Sequence, residues 1–356
     1  MKVKNKKLTK IFTDIKKAYK KIDVQLDDIQ FVRANEFEMI NQLHKNRFFP
    51  DEIIEHIQEK LIYCFVIKFM NTTINFFTDK HMNRIVNNID PTVGIINTIC
   101  RLVFLVRTLM KNSNHLELNY FDCPHKKVFP KHRGEMLNEG NCNSGSSYVG
   151  NYQMYVYRRE EYKRVVIHEL IHSFLGDYHL IEDEFNLKLQ KYFCLDDLEN
   201  ININETYTET FATVINMVFT VLERGDGVRD LGKYFDNEFK HSVKVLVSIL
   251  RHYRYTSIEQ LVRQKKGDCK ILQQGTSVFN YYVMKPFMLA NLDGLLSLNN
   301  KCSKDMIYFG DVGCLKAFYD LIIKSFNNKE LKEYIDKALT LGRMKTNKLV
   351  MVFYEK

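Results

Sequence analysis

The sequence predicts an α+β fold that is mostly helical, with a small sheet packed beside one buried helix. Most of the chain carries apolar residues at helical spacing. Residues 115–157 instead contain segments that alternate apolar and polar side chains, as half-buried strands do. Residues 165–176 are apolar nearly all round, which is typical of a helix inside a core. We therefore expect a sheet beside that helix and a helical region on each side.

Changes in pattern divide the chain into three regions. Residues 1–112 are predicted to be an all-helical N-terminal region, because breakers are scarce and Gly94 is the first glycine. Residues 113–300 should hold the sheet and the buried helix, and residues 301–356 should form a helical C-terminal region. A chain of 356 residues is long enough to bury a core as one large domain or as two.

Three helices are predicted in the N-terminal region. The first spans residues 8–22, with lysines on its outer face, and the second runs from residue 51 to residue 70. The third, at 92–110, is the most apolar segment of the chain. Because Arg101 and Arg107 interrupt it, we interpret it as a core helix rather than a membrane span.

Composition narrows the expected partners and compartment. The net charge of +9 comes largely from lysines in the first 22 residues, without the interleaved aromatics or glycines of a nucleic-acid arm. We expect a solvated helix face there and no nucleic-acid partner. The eight cysteines form no C-x-x-C and no signal peptide precedes them, so we expect reduced, buried thiols in a cytoplasmic protein.

The central region begins with strand signals. Residues 115–121 predict a strand, and residues 147–157 predict a hairpin whose turn contains Gly150 and Asn151. The second strand of the hairpin leads directly into the buried helix.

That helix contains the motif H-E-x-x-H. Residues four apart lie on the same helix face, so His168 and His172 can bind one tetrahedral Zn²⁺. Glu169 lies beside the first ligand, where it can accept a proton from a metal-bound water that attacks a carbonyl carbon. A buried Glu between two His needs partners, and a metal would provide them. The alternative is a pair of core histidines satisfied by hydrogen bonds.

A catalytic zinc with an open fourth position needs a third protein ligand. Glu205 and Glu209 share a face at the start of a helix predicted over 204–222. One of them would bind the metal and the other would hydrogen-bond a ligand histidine. His179 is a further candidate, although it falls one residue late for the pattern H-E-x-x-H-x-x-G-x-x-H. A solvated acidic first turn is the remaining interpretation of the two glutamates.

These motifs resemble those of gluzincin metallopeptidases. Residues 168–176 are similar to the aminopeptidase pattern H-E-L-x-H-x-[WF]-x-G, and residues 208–212 to N-E-x-F-A, in which the Glu is the third ligand. Other segments resemble metallopeptidases encoded by nucleocytoplasmic large DNA viruses, and this likeness extends over residues 115–300. The segments are 143–145, 157–161, 207–209 and 277–282.

The resemblance implies a zincin-like catalytic domain that holds one Zn²⁺ per chain through His168, His172 and Glu209. Glu205 would then bond a ligand histidine, although the order Asn204-Glu205 also resembles the thermolysin-type pattern and keeps Glu205 as a competitor. A viral relationship would place the protein in the host cytoplasm or the virion.

A hydrogen-bond donor opposite the zinc is also expected, because metallopeptidases often use a Tyr, His or Arg to stabilise the developing oxyanion. The helix predicted over 275–298 carries Tyr281 and Tyr282, which are our candidates, and His252 is a weaker one. The alternative is that both tyrosines only pack in the helix.

The function expected from these residues is zinc-dependent hydrolysis of a peptide or protein, with an edge strand holding the substrate by main-chain hydrogen bonds. The alternative is a non-catalytic zincin-fold interaction or virion-associated protein with a basic N-terminal arm. A carboxypeptidase is a third possibility, and it would need Arg158, Arg159 or Arg254 to face the substrate carboxylate.

Overall fold

The computed structural model confirms a mixed, mostly helical α+β fold with one sheet. It describes residues 6–23, 29–81, 91–147, 150–174, 183–195, 199–263, 270–303 and 313–355. The helices are α1 (Lys6–Tyr19), α2 (Asp51–Lys60), α3 (Thr92–Met110), α4 (Glu139–Cys142), α5 (Tyr162–Ser173), α6 (Asp183–Tyr192), α7 (Ile203–Glu223), α8 (Leu231–His252), α9 (Met284–Ala290), α10 (Leu292–Cys302), α11 (Gly313–Phe326) and α12 (Lys329–Thr340). The strands are β1 (Ile29–Arg33), β2 (Tyr63–Phe69), β3 (Thr72–Thr78), β4 (Leu116–Phe121), β5 (Gly145–Ser147) and β6 (Gln153–Val156).

The sheet is mixed, with strand order β1-β2-β3-β4-β6-β5. Neighbours β1, β2 and β3 are antiparallel, whereas β4 runs parallel to both β3 and β6. The predicted strand at 115–121 is confirmed as β4, and the predicted hairpin is confirmed by the antiparallel pairing of β5 with β6. This order leaves β5 at one edge of the sheet, directly beside α5.

The prediction of an all-helical N-terminal region is wrong. The helix that starts at Asp51 ends at Lys60, and β2 and β3 follow it as a hairpin. Its turn residues Met70 and Asn71 have φ angles of 46° and 55°, which is the left-handed pair that a tight two-residue hairpin turn requires. Both strands are rich in aromatic and β-branched residues, so pairing across the hairpin outweighs the apparent helical spacing. The sheet therefore crosses the boundary that the sequence suggested at residue 112.

The two faces of the sheet carry separate cores. Phe76 faces the larger core, which includes residues of α1, α3, α5 and α7, whereas Phe77 faces a smaller core beneath α2. Both side chains are fully buried, as the alternation of side chains along a strand requires. The larger core contains the helix with the H-E-x-x-H motif.

Helix α3 lies in that larger core, packed against α5 and α1. By length and composition it is the one helix in the described ranges that could cross a membrane, a test that buried core helices also pass. Arg107 is 3% exposed, and its guanidinium donates hydrogen bonds to Thr72 Oγ1 and to the carbonyl oxygen of Asn71. Arg107, one of the two arginines that interrupt the apolar segment, thus anchors the helix to the sheet.

The prediction of reduced thiols throughout is wrong for three of the described cysteines: Cys194, Cys302 and Cys314. Cys302 and Cys314 form a disulfide that joins the end of α10 to the start of α11, and Cys194 is also disulfide-bonded. The chain positions of these cysteines carry no pairing pattern, because proximity here depends on how the helices pack. Four other cysteines are free and buried, as predicted: Cys64, Cys100, Cys123 and Cys142.

Candidate metal centre

Helix α5 carries the motif and is buried on every side. Each residue from 164 to 173 is buried, and helices α3 and α7 and the hairpin β5–β6 surround it. His168, Glu169 and His172 are 5%, 6% and 4% exposed. A surface helix would not place three ionisable side chains at such burial, so these side chains need specific partners.

The imidazoles of His168 and His172 converge on a carboxylate from α7. Their Nε2 atoms are 3.0 Å apart. Glu205 Oε2 lies 3.1 Å from Nε2 of His168 and 3.3 Å from Nε2 of His172. Ligand atoms placed tetrahedrally around Zn²⁺ at ordinary bond lengths are separated by about 3.3 Å. The two nitrogens and one oxygen are therefore close enough together, and of the right chemistry, to hold a metal ion.

The sequence favours Glu209 as the third ligand, whereas the structure brings Glu205 to the two Nε2 atoms. Glu209 Oε2 lies 3.3 Å from Nδ1 of His168, the nitrogen that faces away from Glu205. Residues four apart on a helix are separated by about 6 Å along its axis, so only one of them reaches the converging Nε2 atoms. Where α7 crosses α5 decides which one, and no sequence pattern contains that information. Glu209 is placed to orient His168.

Cations hold Glu209 in this position. Arg164 donates a hydrogen bond to Oε2 of Glu209, and Lys285 Nζ lies 3.2 Å from its Oε1. Glu209 is fully buried. Burial alone would raise its pKa, but Arg164 and Lys285 reverse this and hold the pKa well below its usual range. The lowered pKa favours an ionised Glu209, whose charge favours a proton on the Nδ1 of His168 and leaves Nε2 available to a metal.

The other carboxylates of the site have contrasting environments. Burial opposes ionisation of Glu205, yet the charges of His172 and His168 lower its pKa far below the usual range. Burial raises the pKa of Glu169, with the two histidines acting in the opposite direction. A carboxylate that readily ionises suits a metal ligand, and a more basic one suits a proton acceptor.

The edge strand β5 holds the carboxylate of Glu169. Ser147 Oγ donates a hydrogen bond of 2.6 Å to Oε2 of Glu169. A Cβ at Gly145 would lie 2.9 Å from Oε1 of Glu169 and 2.7 Å from Cγ1 of Val165, so only glycine lets the strand approach the helix this closely. Sequence reasoning did not assign Gly145 or Ser147 a role at the site. A glycine shortly before a buried helix is the signal from which such a close approach could have been predicted.

Tyr281 is the candidate donor that reaches the site. Its ring centroid is 6.0 Å from that of His168, and it lines two adjoining cavities of about 20 and 40 Å³ together with His168 and Glu169. It lies in the π-helical turn Phe279–Val283, a local widening that often marks functional positions. The predicted helix over 275–298 is thus interrupted where Tyr281 enters the site.

The other candidates lie elsewhere. Tyr282 OH donates to the carbonyl oxygen of Leu349, and Nε2 of His252 hydrogen-bonds to that of Glu135. Arg158 bonds the carbonyl oxygens of Asn143 and Gly140, and Arg159 pairs with Asp122. Neither arginine lines the two cavities, and neither does Arg254. His179, the alternative ligand, lies outside the described residues.

Comparisons with protein-family models, with curated proteins and with solved structures found no match to this chain. The geometry of the site is therefore the basis for assigning a function.

Proposed function

We propose that this protein is a zinc-dependent metallopeptidase with one Zn²⁺ per chain. The observation that supports the proposal is the convergence of three ligand atoms, from His168, His172 and Glu205, with Glu169 held alongside them. Two imidazoles and one carboxylate form a donor set that catalytic zinc sites use, because it leaves a fourth position open. The fold of the catalytic domain would then be zincin-like.

Each residue would have a separate task. Zinc, when bound, supplies Lewis acidity and a water of lowered pKa. Glu169, oriented by Ser147, would accept the proton of the attacking water and pass it to the leaving amine. Tyr281 would donate a hydrogen bond to the oxygen of the scissile carbonyl as negative charge develops there. Glu209 would keep His168 in the correct tautomer.

The substrate would be an extended peptide. Strand β5 ends the sheet order, and its Ser147 contacts Glu169. A peptide that paired with this edge would run past the carboxylate and the ligand cluster, with its main chain hydrogen-bonded to the strand. No arginine free of a buried partner lines the two cavities among the described residues, which favours an endopeptidase over a carboxypeptidase.

Metal content measured by mass spectrometry tests the proposal. We expect about one zinc per chain in the wild type, and its loss in His168→Ala and Glu205→Ala. Glu209→Ala should retain zinc but bind it about 10- to 100-fold more weakly, as loss of a carboxylate behind a ligand histidine does. Zinc that survives Glu205→Ala but is lost in Glu209→Ala would restore the assignment made from the sequence.

Cleavage of a peptide library tests the activity. Glu169→Gln should keep its zinc and lose hydrolysis, because Gln cannot accept the proton. Loss of zinc in this variant would contradict the role of Glu169 as base. The exposed Glu333 on α12 offers a matched control, Glu333→Gln, which should change neither zinc content nor cleavage.

A non-catalytic zinc protein is the second candidate. The small cavities of about 20 and 40 Å³ favour it, because each holds at most a few water molecules. Full zinc occupancy without cleavage of any library peptide would support this scaffold function and reject the peptidase.

A further inference from the structure

Residues 349–355 form a segment without a helix or strand of their own, and its first four residues are buried. Leu349, Val350, Met351 and Val352 are 0%, 1%, 3% and 1% exposed. Buried backbone donors and acceptors need hydrogen-bond partners. The amide of Leu349 donates to the carbonyl oxygen of Lys127, and charged side chains supply partners from Met351 onward. The side chains that bond this segment show which part of the molecule it supports.

Charged side chains behind the metal centre bond this backbone. The amides of Met351 and Val352 donate to Oε1 of Glu161, and Lys285 Nζ donates to the carbonyl oxygen of Met351. The amide of Phe353 donates a bond of 2.9 Å to Oε2 of Glu238. Three side chains that are each at most 2% exposed thus use this segment as their polar partner.

Two of these side chains, Lys285 and Glu161, are linked through further buried charges to the proposed ligand His168. Lys285 also bonds Glu209, and Glu209 in turn contacts Nδ1 of His168. Arg164 lies between Glu161 and Glu209, with Nε 3.8 Å from Oε1 of Glu161. A continuous path of buried charges therefore connects the backbone at 351 to the imidazole of His168.

Glu355 contacts the same helix at its start. The residue before α5, Glu161, has a left-handed backbone with φ of 62°, and its side chain does not cap the helix. The carboxylate of Glu355 accepts hydrogen bonds of 2.9 and 3.1 Å from the amides of Lys163 and Arg164. Both amides lie in the first turn of α5, where the backbone N–H groups have no acceptor within the helix. Glu355 therefore caps α5 from a position 191 residues away in the chain.

We propose that residues 349–355 are a positioning strap for the metal-binding helix. The strap anchors the first turn of α5 through Glu355 and holds the pair Lys285–Glu209 that orients His168. The effect on metal binding rests on the proposed function, whereas the effect on the helix does not depend on it.

Hydrogen–deuterium exchange of the full chain tests the strap without any metal. Glu355→Ala removes both acceptors, so the amides of Lys163 and Arg164 should exchange at least tenfold faster than in the wild type. Glu355→Gln keeps one acceptor oxygen and should restore part of the protection. Glu333→Ala on α12 is the control and should leave these amides unchanged. Unchanged exchange in Glu355→Ala would overturn the strap.

Zinc affinity and the absorption spectrum of the Co²⁺-loaded protein separate positioning from simple stabilisation. Glu355→Ala should weaken zinc binding about tenfold and alter the cobalt spectrum, with Glu355→Gln intermediate. A variant that melts earlier but keeps the wild-type affinity and spectrum would show a purely structural role and refute the link to His168. A wild-type protein that binds neither Zn²⁺ nor Co²⁺ would refute the proposed function. The exchange rates of the Lys163 and Arg164 amides would then be the test of whether residues 349–355 anchor α5.

Discussion

Gly145→Ala tests how closely the edge strand must approach Glu169. The added Cβ would lie 2.7 Å from Cγ1 of Val165, 2.8 Å from the carbonyl oxygen of Tyr155 and 2.9 Å from Oε1 of Glu169. Relaxed contacts to carbon lie at about 3.5–4.0 Å, so each of these distances must increase by roughly 0.6–1.3 Å. The three atoms belong to the side chain of Val165, the backbone of Tyr155 and the side chain of Glu169, the proposed base. No rotation of one side chain relieves all three close contacts.

The expected consequences differ for stability and for activity. Overpacking of this kind costs about 1–3 kcal/mol of unfolding free energy, which urea denaturation can measure. Displacing Glu169 by up to about 1 Å should lower kcat/KM about 100-fold, because proton transfer depends on that geometry. Zinc content should stay near one per chain, since the three atoms nearest to the added Cβ belong to Val165, Tyr155 and Glu169 and to none of the proposed ligands.

The control is Gly94→Ala near the start of α3, where an added Cβ would meet no atom within 4 Å. It should leave activity unchanged and stabilise the helix by up to about 1 kcal/mol. Wild-type stability and activity in Gly145→Ala would refute the argument that the strand positions Glu169.

Three further predictions follow from single contacts at the site and the strap. Ser147→Ala should lower kcat about 10- to 100-fold at unchanged zinc content, because it removes the hydrogen bond to the carboxylate of Glu169. Ser147→Thr should recover part of the rate. Equal kcat in wild type and Ser147→Ala would exclude a role for Ser147 in orienting Glu169. Tyr281→Phe should lower kcat about 100-fold, whereas Tyr282→Phe, whose hydroxyl bonds Leu349, should retain activity; the opposite order would move the donor to Tyr282. Burial and the nearby Glu161 raise the pKa of Glu355 from 4.5 to about 7, against the opposing effect of Lys163 and Arg164. Since the pKa of Glu355 is higher in the folded protein than in the unfolded chain, the contribution of this carboxyl group to the free energy of unfolding is greatest below pH 4.5. This contribution decreases as pH rises from 4.5 through about 7. It amounts to at most roughly 3 kcal/mol, and Glu355→Gln should abolish this difference between urea unfolding at pH 5 and at pH 8.

The sequence alone identified the elements whose signals are local. The spacing of His168 and His172 on an apolar helix predicted their shared face, because helical periodicity is a property of the segment itself. The turn at Gly150 and Asn151 predicted a hairpin for the same reason, and the structure confirms the strands on both sides of it.

Tertiary structure decided the features that depend on how elements meet. Glu205 and Glu209 are equivalent by pattern, and only the crossing of α7 over α5 brings Glu205 to the Nε2 atoms. The strands β2 and β3 were mistaken for helix because their apolar residues satisfy both periodicities over short lengths, and pairing across the sheet selects the strand. Glu355 caps a helix from far along the chain, a contact that no local pattern contains. The sequence thus determined which side chains were available. The packing of the helices and sheet determined which of them lie where a metal could be held or a helix capped, because both require distances of a few ångström between segments that are remote in sequence.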